Sequence, residues 1–158
     1  MPKGHKYGDT HPVLSVAKAS GTTIAIGDLI YRDGGASNVP KPAASLAWDT
    51  SLAVTQETFH DSFLGVALSA GRSADTDKIR IATSGIFEFD CASATFAAGA
   101  LVGPAKQSGN ALESQKVVSV ATANLAIGRV EQDYTSATTR VRVRVMSVVH
   151  DGGAYAPA

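Results

Sequence analysis

Hydrophobic and polar residues alternate with period two along much of this chain, most plainly at residues 140–145, RVRVRV. Alternation of that period places Val141, Val143 and Val145 on one face of a β-strand and Arg140, Arg142 and Arg144 on the other. The same basic–apolar alternation occurs at Lys78-Ile79-Arg80-Ile81. Residues 12–23 hold Val13, Leu14 and Val16 ahead of a Gly-Thr-Thr break, which predicts a first strand. "TIAIGDLIYRDGG" then reads as a strand, a Gly27-Asp28 turn, a second strand over Leu29 to Tyr31, and a turn at Asp33-Gly34-Gly35. The Pro- and Ser-rich stretch 36–51 predicts an irregular loop. Residues 52–63 place Leu52, Thr55, Phe59 and Phe63 near one face of a short helix. From Leu64 onward the pattern is strand and turn, including a strand at Val117, Val118 and Val120 and a turn residue at Asn124. Some eight to ten short strands and at most one or two short helices make an all-β chain.

The pattern also repeats. "FLGVALSAGRSADTDKIRIATSG" (63–85) lines up with "AIGRVEQDYTSATTRVRVRVMS" (126–147), matching Gly65 to Gly128 and, after one residue of slippage, Lys78–Ile81 to Arg140–Val143. Upstream of each copy, "IAIGDLIYRDGG" (24–35) resembles "FAAGALVGPAKQSG" (96–109). Each half therefore runs from a Gly-centred hairpin through a connector to a Gly-started hairpin that ends in the alternating strand. Two similar half-units closing on one another predict a small β-barrel or sandwich.

Charge decides how the arginine strand is read. Arginines two residues apart on one face lie about 6.8 Å from one another, close to phosphate spacing. Yet Lys plus Arg and Asp plus Glu both count 14 over 158 residues. A nucleic-acid binder draws most of its affinity from a basic excess that this chain lacks, and aromatics do not interleave with the arginines. Only 18% of residues are charged, and small residues dominate, which suits tight β packing and contact with other protein. The N-terminal residues have no apolar h-region, so no signal peptide is expected. No apolar run approaches a membrane span, and a soluble product made in a cytoplasm is expected.

Reactive groups are sparse. Cys91 is the only cysteine, which excludes an intramolecular disulfide and a thiolate metal cluster; it is expected to be buried. His5, His11, His60 and His150 show no ligand spacing, and His60-Asp61 reads as a solvent-facing helix edge. No G-x-S-x-G elbow is present, and the Gly-rich turns lack the spacing and the Lys-Ser/Thr of a phosphate loop. Trp48, the only tryptophan, is either a core plug beneath its loop or an interface anchor. These patterns predict neither an enzyme nor a metal or cofactor site.

The segments "IAIGDLIYRDGG", "LAWDTSLAVTQETFHDSFLGVALSAG", "GIFEFDCASATFAAGALVGPAKQSGNALESQKVVSVATANLAIGRV" and "TTRVRVRV" resemble the capsid decoration (cement) proteins of tailed phages, related in architecture to the head-stabilising protein of phage lambda. The resemblance spans about residues 22–148. It implies a small β-barrel or β-tulip domain, commonly trimeric, on the outside of the virion head. Its partners would be the major capsid protein, copies of itself and neighbouring decoration subunits, with no direct nucleic-acid or membrane contact.

It also implies an extended N-terminal arm, matched here by residues 1–12, ahead of a single domain at 13–149 and a flexible tail at 150–158. Fully extended, such an arm reaches at most about 40 Å. It would add to a neighbouring sheet edge by backbone pairing, with Lys3, His5, Lys6 and Tyr7 as the expected capsid contacts. Trp48, Arg140, Arg142 and Arg144 are the expected subunit-interface residues, the arginines through acidic residues of a neighbour or as solvated guards of an edge strand. The competing reading is a tail, fibre or carbohydrate-binding β-module. It would call for clustered exposed aromatics, against the 6% aromatic content and one tryptophan here.

Overall fold

The structure, a computed structural model, describes residues 13–35 and 38–149. Strands dominate it: β1 (Val13–Ala17), β2 (Leu29–Asp33), β3 (Val39–Pro42), β4 (Phe63–Ala67) and β5 (Lys78–Ala82), then β6 (Ser84–Phe96), β7 (Leu101–Lys106), β8 (Leu112–Ser119), β9 (Gly128–Val130) and β10 (Tyr134–Met146). Among the described residues one α-helix, α1 (Leu52–Ser62), stands between β3 and β4, and short 3-10 turns lie at Ala43–Ser45 and Ala123–Leu125. Ser51 caps α1, its hydroxyl accepting the Val54 N–H.

Strands β1–β5 form an open sheet in the order β1-β5-β4-β2-β3, and β6–β10 form a closed barrel. Read from β6, the barrel order is β6-β10-β9-β7-β8, which is the first order again, strand for strand. The duplication reaches individual atoms. Gly27 N–H donates to the Ala67 carbonyl and Ala67 N–H to Asp28; Gly99 N–H donates to Val130 and Val130 N–H to Ala100. Val66 faces Ala82 and Ala67 faces Ile81, just as Arg129 faces Arg144 and Val130 faces Val143. Gly27 and Gly99 both hold left-handed backbone, at φ +94° and +84°, the conformation that glycine adopts without penalty. Gly65 and Gly128 are required for a different reason: a Cβ there would overlap the carbonyl oxygen of Ala82 or of Arg144.

The halves differ at the seam. In the second, β6 and β8 pair in parallel through Asp90–Lys116 and Cys91–Val117 and close the ring. In the first, the corresponding β1 and β3 do not pair. β3 reads VPKP, and it corrects the expectation of an irregular loop over 36–51. Proline has no N–H to give a ladder, so Pro40 and Pro42 fit only with their nitrogens turned away from β2. That leaves the outer edge of β3 with carbonyl acceptors but no donors at both positions, so it is a poorer partner for ring closure than β8. The strand expected at Ile24–Ile26 reduces to one bridge, Ile24 to Gly71.

Val141, Val143 and Val145 point into the barrel and are buried, with Phe89 and Phe87 directly across from the first two. The interior of the open sheet is a smaller cluster of Ile24, Ile30, Leu64, Ala67, Ile79 and Ile81. Its other face contributes Leu29, Tyr31, Phe63, Val66 and Ala82 to one large cluster that also holds Phe59 of α1 and the barrel interior.

Candidate interaction surfaces

The arginine row lies on the outer wall of the barrel. Antiparallel register sets Arg140 across from Asp90 and Arg142 across from Glu88. Arg140 Nε lies 3.6 Å from Asp90 and its Nη1 3.7 Å from Glu88; Arg142 Nε lies 3.9 Å from Glu88. Arg144 is held in a fork by Glu131, at 3.1 and 3.2 Å. All three arginines thus find carboxylates within their own half-unit. The sequence carries a signal for two of these partners, since Glu88 and Asp90 alternate with Phe87 and Phe89. The exposed Arg140 and Arg144 pairs contribute little to stability, and the half-buried Arg142–Glu88 contact is a long one.

Trp48 is half-buried between the 3-10 turn and α1, outside both core clusters, with the Lys106 ammonium 5.0 Å above its ring. It is therefore neither a deep plug nor a free aromatic platform. Lys3, His5, Lys6 and Tyr7, with the rest of the arm and the tail 150–158, lie outside the described residues.

His60 departs from expectation: it is buried, and its Nδ1 meets the Ala126 carbonyl at 2.6 Å, fastening α1 to the segment that leads into β9. Only Asp61 of that pair faces solvent. The helical spacing placed Phe59 inward correctly, but Gln56 and His60 are buried as well, because α1 also packs against β7 and the 3-10 turn before β9. Gln56 donates to the Pro104 carbonyl. Cys91 is buried as expected, and burial, with the neighbouring Asp90 carboxylate, pushes its thiol pKa up, away from the reactive thiolate.

Open grooves lie elsewhere among the described residues. One, of about 390 Å³, runs along the β6–β8 closure and is lined by Asp90, Glu113, Lys116 and Arg140, a balanced set that selects no ligand charge. Another, of about 280 Å³, lies beside Tyr31, Asp33, Leu46, Asp61 and Val148. There the Lys41 ammonium and the Gly35 N–H hold the Asp33 carboxyl below its usual range. Burial, aided by Asp33, pushes the Tyr31 hydroxyl up to about 12. Among the described residues no group of three or more His, Cys, Asp or Glu could hold a metal ion, and no helix is long and apolar enough to cross a membrane.

No protein-family model and no curated protein matches this chain.

Proposed function

We propose that this protein is a capsid decoration protein that binds the outer surface of a phage head, bridges major capsid proteins and stabilises the mature shell. The observation that carries the reading is the closed barrel built on a repeated five-strand unit. It agrees with the small β-barrel that the sequence resemblance implies. The lightly charged, small-residue composition supports it too, because extensive protein contact disfavours a heavily solvated surface. In this reading residues 1–12 engage the shell, and the many identical sites of a shell raise occupancy through multivalency. The protein acts as a homotrimer in the virion, after synthesis in the host cytoplasm.

The test is to mix purified protein with undecorated, expanded heads of the parent phage. Binding that raises the temperature at which the heads melt supports the reading. Failure to bind, or binding with unchanged melting, overturns it. Deleting residues 1–12 should weaken attachment while leaving the domain folded by circular dichroism; undiminished attachment would remove the arm from the account.

A further inference from the structure

The duplication allows the two halves to be compared position by position. In the barrel, two of the three β10 arginines in the β6 ladder have a carboxylate across from them, Asp90 for Arg140 and Glu88 for Arg142, while Arg144 faces Ile86. The corresponding positions in the open sheet are Lys78 and Arg80 on β5, facing Ala17 and Ser15 on β1. Where the second half has two carboxylates, the first has a methyl and a hydroxymethyl group. Lys78 and Arg80 are exposed, and among the described residues neither side chain forms an ion pair.

The residues beside them on β1 are small or exposed. Val13, Ser15 and Ala17 point the same way as the two cations and are exposed, Val13 at 41%. Among the described residues β1 is also an outermost strand with no hydrogen-bonded neighbour on its second edge, and it carries no charge, proline or glycine. Natural edge strands are ordinarily protected by such residues, and the other edge of this sheet is protected by Pro40, Lys41 and Pro42.

We propose that the outer face of β1–β5 is a docking surface for an extended, carboxylate-bearing segment of a partner protein. The partner's acidic side chains sit over Ser15 and Ala17 and pair with Arg80 and Lys78, supplying what Glu88 and Asp90 supply inside the barrel. Small side chains at 15 and 17 leave room for them. Charge complementarity selects the partner class, and the edge of β1 that no described strand pairs offers it a ladder to join. The inference stands apart from the capsid reading, and its test uses no heads.

The probe is a fluorescein-labelled peptide alternating glutamate and valine, titrated with the full-length protein at low ionic strength and followed by anisotropy. Two variants accompany it. Lys78→Glu/Arg80→Glu reverses the surface charge. Ser15→Glu/Ala17→Asp copies the barrel's own carboxylates into β1, so that the cations become satisfied internally while the fold is kept. The expected result is saturable binding to the wild type, weakened at least about tenfold in both variants and by added salt, with the Ser15→Glu/Ala17→Asp protein melting no lower than wild type. No binding to the wild type, or equal binding by the Ser15→Glu/Ala17→Asp variant, overturns the proposal. So does equally tight binding of single-stranded DNA of the same length, which would assign the surface to phosphate.

Discussion

Single side chains in this molecule are read correctly from sequence where one pattern governs them and misread where two surfaces compete. Val141, Val143 and Val145 fall inside because period two alone decides their side. A helical stripe of Leu52, Thr55, Phe59 and Phe63 defines one face and leaves His60 outside it, yet α1 is covered on more than one. Lys18 is the extreme case, a charged residue with its side chain wholly buried. Its ammonium donates to the carbonyls of Ala19 and Asp75, at 2.9 and 2.7 Å, and lies 3.5 Å from the Asp75 carboxylate. No local pattern announces that clamp, because its acceptors lie mostly 57 residues away. Tyr31 gives a prediction at this scale. Its hydroxyl is held neutral to about pH 12 in the folded chain, against about 10 when unfolded. Between those values the unfolded state loses the proton and the folded state keeps it. The stability contributed is therefore complete below about pH 10 and is lost as pH rises toward 12. Urea titrations over that range should show a decline that Tyr31→Phe flattens; an unaltered slope in the variant would move the effect elsewhere.

At the level of elements, the hairpins were legible and their pairing partners were not. The echo between 63–85 and 126–147 holds because both copies need glycine where one strand presses on a carbonyl of the next, Gly65 on Ala82 and Gly128 on Arg144. Steric need of that kind preserves a residue type through divergence, so it survives as text. The likeness of β1 to β6 does not, because VLSVA and IFEFD share only alternation. The contrast between the bare cations of β5 and the paired arginines of β10 was therefore hidden until the register was known. β3 is not legible in the sequence, since prolines signal loops, whereas on an edge strand they are tolerated. The glycine argument is testable. Gly65→Ala and Gly128→Ala should each cost at least about 3 kcal/mol, a fall in Tm of roughly 10 °C. Gly109→Ala, which meets nothing within 4 Å, should stay within about 0.5 kcal/mol of wild type. Equal effects at all three sites would refute the close-approach account.

On the scale of the molecule, the all-β class and the two-part plan follow from periodicity and repetition, while the division into one closed and one open unit rests on details too local to read: two prolines in β3 and a two-residue parallel pairing at Asp90–Lys116 and Cys91–Val117. The open sheet cannot stand alone as a wetted unit, because Leu29, Phe63, Val66 and Ala82 on its second face share a cluster with the barrel's own interior. Unfolding should accordingly be a single transition, with calorimetric and van't Hoff enthalpies equal and with Trp48 fluorescence and circular dichroism coincident. Two separable transitions would show that the halves are energetically independent. The position of β10 has a consequence for synthesis. This strand, which pairs with both β6 and β9, is the last of the ten to leave the ribosome. All five strands of the first half emerge before it, but the ring cannot close until Met146 has been released. The nascent chain must therefore hold a half-covered sheet in solution while the second half is still being made, and the shared core is completed only once β10 has emerged.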